Sequence, residues 1–174
     1  DGVSSISFGA LAPGVSTTLT FVVRNTGNDD LTGLALSLEE DAPADFMEGA
    51  LGANVLAPGA STSFEVTFSP DENGAHTATL RIASTDADEN PFELALIGYR
   101  LTALEAWRKA NFGITNNTSV AADSADEDQD GIPNIVEFAL DLDTTENSAG
   151  ELPQARIVAG NLEVTFNQPS GVEG

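Results

Sequence analysis

The sequence predicts a mainly β protein: a β-sandwich over residues 1–100, a small helical unit around an acidic loop over 101–144, and a linker with a C-terminal β-hairpin over 145–174. Three observations lead there. From Ile6 to about Arg100 apolar and polar residues alternate, with turn residues at intervals of roughly 8 to 12 positions, as in a sandwich of short half-buried strands. After Arg100 the apolar spacing becomes helical. Beyond Thr144 the alternation returns, in Arg156-Ile157-Val158 and Leu162-Glu163-Val164-Thr165-Phe166.

The strands follow in order. Leu19, Phe21 and Val23 fall on one face, and Phe64, Val66 and Phe68 repeat the pattern. Leu80 with Ile82, and Phe92 with Leu94 and Leu96, supply two more strands, and shorter ones are expected near Ser4–Phe8, Leu34–Leu38 and Asp45–Glu48. Asn25-Thr26-Gly27-Asn28 and Asp71-Glu72-Asn73-Gly74 place Asn and Gly where positive φ costs little, so each is expected to reverse the chain. Ala12-Pro13-Gly14-Val15-Ser16-Thr17 recurs as Ala57-Pro58-Gly59-Ala60-Ser61-Thr62, which puts one turn ahead of two equivalent strands.

Several of these residues carry a family resemblance. Phe8-Gly9, the two Pro-Gly turns, Val23-Arg24-Asn25-Thr26-Gly27, Asp45-Phe46, Val66-Thr67-Phe68-Ser69-Pro70, Asp86-Ala87-Asp88 and Leu96-Ile97-Gly98 resemble the immunoglobulin-like choice-of-anchor D and ASH/HYDIN-type domains. The resemblance implies an immunoglobulin-like sandwich that acts as a spacer or interaction module in bacterial exported proteins, and it carries no catalytic residues.

Leu101, Leu104, Trp107 and Arg108 through Phe112 predict a helix with Thr102 as N-cap and Gly113 as its stop. Residues Asn116–Ala125 read as loop. A second helix is expected from about Pro133 to Leu140, because proline suits a first turn and Ile135, Val136, Phe138 and Ala139 give an apolar side. The final hairpin reads as the opening of a further β-domain; alone it would be marginal and should dock on its neighbours or stay partly mobile.

The loop between the helices carries the chemistry. Asp126, Asp128, Asp130, Gly131, Asn134 and Glu137 occupy positions 1, 3, 5, 6, 9 and 12 of an EF-hand calcium frame. A hard dication of this size needs about six to eight oxygens. Three carboxylates on alternate residues, the Ile132 carbonyl, Asn134 and both oxygens of Glu137 would supply them, while Gly131 allows the bend. Without the ion the carboxylates repel one another, so calcium is expected to order the segment. Pro133 removes the backbone N–H that a paired hand uses to reach its partner loop, which argues for a solitary structural clamp. Asp123, Asp141 and Asp143 are candidates for a second ion. The stretch from Leu104 through Asp143-Thr144 resembles a calcium-organised spacer in large exported proteins of planctomycete and verrucomicrobial bacteria, and the single loop is closer to dockerin or thrombospondin type 3 repeats than to calmodulin.

Composition narrows the function classes. With 28 acidic against 6 basic residues and a net charge of -22, the chain would repel nucleic acid and anionic membranes alike. Cysteine is absent, so neither disulfides nor a thiolate site can form, and no apolar run approaches the roughly 20 residues that span a bilayer. The only histidine, His76, is expected at a strand start as an exposed or partly buried polar residue, and the only lysine, Lys109, lies in the first helix. No nucleophile therefore has a base partner. Starting at Asp1, the chain is expected to be a piece of something longer. The expectation is a non-catalytic, calcium-binding module of a secreted or cell-surface bacterial protein, whose partners are calcium and either other domains of that protein or a surface protein. An accessory carbohydrate-binding module is the first alternative, disfavoured by one Trp and one Tyr. A dockerin-like docking segment is the second, disfavoured by the single loop.

Overall fold

The computed structural model describes residues 4–40, 45–86 and 90–165. Ala87, Asp88 and Phe166, on which parts of the sequence reading rest, lie outside them. The chain forms two compact units that divide between Thr102 and Ala103.

Seven strands build the first unit: β1 (Ser4–Leu11), β2 (Thr17–Arg24), β3 (Ala35–Glu40), β4 (Phe46–Glu48), β5 (Ser61–Phe68), β6 (Gly74–Ala83) and β7 (Phe92–Arg100). They make one sheet ordered β1-β7-β6-β3 and a second ordered β2-β5-β4. The alternation sets which side chains face inward. Along β5, Thr62, Phe64, Val66 and Phe68 are buried and the residues between them are more exposed. Phe8, Phe46, Phe64, Val66, Phe68, Leu80, Leu94 and Leu96 form the shared core. Phe46 stacks on Phe68 at 4.6 Å and meets Phe8 edge-on at 5.3 Å. Phe92, expected to share the inward face of Leu94 and Leu96, is instead exposed at the start of β7, where the core opens at one end of the sandwich.

The repeated turn does what its composition demands. Val15 N–H bonds the Ala12 carbonyl at 3.1 Å and Ala60 N–H bonds the Ala57 carbonyl at 2.9 Å, with Gly14 at φ 74° and Gly59 at φ 81°. These are type II geometries, in which glycine takes the positive φ after proline. They launch β2 and β5, which pair antiparallel with each other from Thr17↔Phe68 to Arg24↔Ser61. The Asn25–Asn28 and Asp71–Gly74 turns differ from simple hairpins. Each carries the chain from one sheet to the other, since β2 is followed by β3 and β5 by β6 across the sandwich. Asn25 fixes the first crossing by accepting the Gly27 N–H at 2.9 Å and donating to the Asp29 and Leu56 carbonyls, each at 2.8 Å. β1 pairs parallel with β7, with a register shift between Ser7 and Ala10 at Gly9.

In the second unit α1 (Ala103–Phe112) begins directly after Thr102 and stops where Gly113, at φ 74°, bonds the Lys109 carbonyl at 3.0 Å. A single 3-10 turn at Ser119–Ala121 interrupts the loop and buries Ala121. α2 (Asn134–Leu140) follows Pro133 and ends on Asp141 in the left-handed region. Trp107 lies between Phe112 and Phe138, at ring distances of 5.5 and 5.6 Å. It is a core anchor for the two helices. Finally β8 (Gln154–Val158) and β9 (Asn161–Thr165) pair antiparallel through a turn at Ala159 and Gly160, both at positive φ. Ile157 and Leu162 face each other on this hairpin and are 70% and 68% exposed.

Candidate metal centre

Between Ala125 and α2 the chain makes a tight acidic loop whose shape follows from its own side chains. Asp128 accepts the Asp130 N–H at 3.1 Å, Asp130 accepts the Ile132 N–H at 2.8 Å and Asp126 accepts the Gly131 N–H at 2.9 Å. Each aspartate thus spends an oxygen on folding the loop around itself. Gly131, at φ 88°, permits the bend, and Gln129 joins it at φ 61°. The neck of the loop is closed by Asn134 N–H to the Ala125 carbonyl at 2.8 Å and Ile135 N–H to the Asp123 carbonyl at 3.1 Å. The incoming segment is a 3-10 turn followed by a second turn closed by Ala125 N–H to the Ala122 carbonyl at 2.9 Å, so α1 does not run directly into the loop as in a paired hand. Pro133 stands just before α2 and accepts the Val136 N–H at 2.8 Å.

The folded loop gathers its carboxylates. One oxygen from each of Asp126, Asp128 and Asp130 lies within 4.8 Å of the others. Glu137, in the first turn of α2, is outside this grouping but is only 1% exposed. Burial first, then the charges of Asp128, Asp130, Asp126 and Asp143, push its carboxyl up to about 7. Desolvation likewise raises Asp128 above the usual carboxylate range. Among the described residues six buried side-chain polar atoms have no hydrogen-bond partner, and four of them are oxygens of this frame: Asp126 Oδ1, Asp128 Oδ2, Asn134 Oδ1 and Glu137 Oε2. Buried oxygens are normally satisfied. Four orphans within one twelve-residue segment fit a group that accepts oxygen ligands, and a hard dication is that kind of group.

The remaining expected ligands sit as follows. Ile132 is buried, with its N–H bonded to Asp130, and its carbonyl belongs to the same turn. Asn134 gives its side-chain amide to the carbonyls of Val120 and Ala122, at 2.7 and 2.9 Å, so it also ties the 3-10 turn to the loop. The aspartates considered for a second ion do not gather. Asp123 pairs with the buried Arg108 guanidinium and accepts the Asn117 amide at 2.8 Å. Asp141 is the left-handed C-cap of α2. Asp143 accepts the Thr145 N–H and hydroxyl at 2.8 and 2.7 Å, which holds it below the usual range. Among the described residues only Asp126, Asp128 and Asp130 form a metal-type cluster.

His76 is partly buried, as its position at a strand start suggested, and both of its ring nitrogens are held. It is about one-tenth exposed, with Nδ1 on Asp45 Oδ2 and Nε2 on the Glu72 carbonyl, each at 2.8 Å. Asp45 and His76 are 31 positions apart, so only the fold reveals the pair. The same holds for Ser148, whose N–H bonds Asp130 Oδ2 at 2.7 Å.

Comparison with known proteins concerns the first unit. The HYDIN/CFA65/VesB-like, Ig-like domain family matches residues 3–98. No curated protein matches the chain. The solved secreted serine protease VesC from Vibrio cholerae is 23% identical with a TM-score of 0.44, over 60% of this chain and 24% of that one. The Vibrio cholerae VesB protease is 19% identical with a TM-score of 0.44, over 57% of this chain and 30% of that one. The ASH/PapD-like domain 7 of human CEP192 is 17% identical with a TM-score of 0.44, over 57% of this chain and 82% of that one. The chain therefore spans less than a third of either protease. Through its seven-stranded sandwich, the chain belongs to the HYDIN/CFA65/VesB-like family of immunoglobulin-like domains.

Proposed function

We propose that residues 126–137 bind one calcium ion and that the chain is a non-catalytic structural or interaction module of a larger secreted or cell-surface bacterial protein, in which the ion rigidifies the acidic segment that follows the immunoglobulin-like domain in the chain. The observation that carries the calcium reading is the buried Glu137 carboxyl. Its Oε2 has no partner, and the charges of Asp128, Asp130 and Asp126 raise its proton affinity, an arrangement that a dication would stabilise and that is costly without one. Asp126, Asp128 and Asp130 would each give a carboxylate oxygen, Ile132 its carbonyl, Asn134 its orphaned Oδ1 directly or through water, and Glu137 both oxygens. The ion supplies charge neutralisation and a fixed geometry, with no reaction attached.

The non-catalytic reading has support in the occupancy of His76, whose two ring nitrogens are committed to Asp45 and to a backbone carbonyl. Export is supported by the likeness of the sandwich to part of a secreted protease. No helix among the described residues is long and apolar enough to cross a membrane. Calorimetric titration of calcium into the intact chain should give a single site, and the double substitution Asp126→Ala with Asp130→Ala should abolish the heat. A flat titration of the unsubstituted chain would remove the calcium reading altogether.

A further inference from the structure

The calcium frame ends at Glu137 in the sequence, yet the chain beyond it returns to the loop. After α2 stops at Asp141, Leu142 N–H bonds the Glu137 carbonyl at 2.9 Å. Thr144 and Ser148 are both buried, and Asp143 adds its charge to the surroundings of Glu137. Ser148 then donates its backbone N–H to Asp130 Oδ2 at 2.7 Å, across 18 positions. The other oxygen of Asp130 holds the Ile132 N–H. Residues 142–148 are thus a strap that leaves the C-cap of α2, where the Leu142 bond closes the last helical turn, and is fastened to the acidic loop at Asp130.

Resting on the calcium reading above, we infer that Ser148 is a positioning residue of the metal centre and that the ion decides whether the strap lies on the loop. Asp130 is the joint between the two. Its carboxylate sits within 4.8 Å of those of Asp126 and Asp128, a grouping that mutual repulsion opposes unless a cation stands among them. With the ion bound, Asp130 is held where it accepts the Ser148 amide in a charge-assisted hydrogen bond, and that donor in turn offsets the excess negative charge of the cage. Without the ion, Asp130 relaxes outward and the amide loses its acceptor. The strap leads straight into the turn at Ala149–Glu151 and then β8, so calcium sets the point from which the hairpin departs.

The test uses the full chain. Amide hydrogen exchange at Ser148 is followed by NMR with calcium and in calcium-free buffer, beside calorimetric calcium titration. The substitutions are Ser148→Pro, which keeps every ligand oxygen and lacks the N–H, and Ser148→Ala, which keeps the N–H. Calcium should slow exchange at Ser148 by about tenfold or more. Ser148→Pro should weaken calcium binding by about five- to tenfold and expose residues 142–152 to protease even with the ion present. Ser148→Ala should match the unsubstituted chain on both measures. If calcium binds with normal heat but leaves Ser148 exchange unchanged, the strap inference is overturned while the calcium reading stands. If no binding heat appears, both fall.

Discussion

At the scale of single residues the behaviour of the acidic loop turns on Glu137. Its carboxyl, ordinarily near 4.5, is held at about 7 by burial and by the neighbouring aspartates. Between those two values the folded chain keeps a proton that the unfolded chain releases, so the folded state binds more protons. The ion-free second unit should therefore lose stability as pH rises from about 4.5 to about 7. With calcium the sign reverses, since the ion must displace that proton, and affinity should rise with pH up to about 7 and then level off. Thermal melts in calcium-free buffer at pH 5 and pH 7.5, with calcium titrations at the same pH values, check both halves. Glu137→Gln should flatten the pH dependence of the ion-free melts and weaken calcium binding. A flat pH profile in the unsubstituted chain would contradict this account of Glu137. The sequence places Glu137 at position 12 of the frame, but its burial comes from helix α2 turning the residue inward, which spacing alone does not show.

At the scale of elements the close approach of the two sheets rests on a missing side chain. Gly98 in β7 faces Phe68 at the end of β5, and a Cβ there would stand 2.4 to 2.8 Å from three ring atoms. Phe68 cannot yield easily, because it is fully buried against Phe46, Phe8 and the His76 ring. Gly98→Ala should cost about 1–3 kcal/mol in urea unfolding. Adding Phe68→Leu should recover part of that loss relative to Phe68→Leu alone, because the two positions share one space. Strict additivity would show that the contact is not what glycine serves. The individual strands and both helices were legible because each is a local pattern: period two in β2 and β5, helical spacing with Gly113 as stop, and Pro133 ahead of α2. The role of the Asn25 and Asp71 turns was not. A turn composition announces a change of direction, and whether the chain meets its neighbour in the same sheet or crosses to the other is settled by which apolar faces can bury together.

At the scale of the whole molecule, the two units have separate cores, one of inward-facing aromatic and aliphatic strands and one built around Trp107, Phe112 and Phe138. Calcium bound to the loop can add stability only to the unit that contains it, by about 2.7 kcal/mol when the free ion is at 100 times its dissociation constant. Calorimetric melting should show two transitions, of which calcium raises one and a chelator lowers the same one. A single transition, or equal shifts in both, would show that the units melt together. The expectation that the chain repels polyanionic partners comes from composition alone, since charge is a sum over residues and needs no fold. The strand faces apart from Phe92, the helix limits, the paired Pro-Gly turns and the spacing of the acidic frame are equally properties of neighbouring residues, and the sequence by itself determined them. The parallel pairing of β1 with β7, the His76–Asp45 pair, the commitment of Asp123 to Arg108 and the return of Ser148 to Asp130 join residues far apart in the chain. Such contacts cost loop-closure entropy and form only where burial and hydrogen bonding elsewhere have already brought the segments together. That is why the tertiary structure alone decided them, and why the acidic loop turned out to be fastened by a strap that lies outside its own motif.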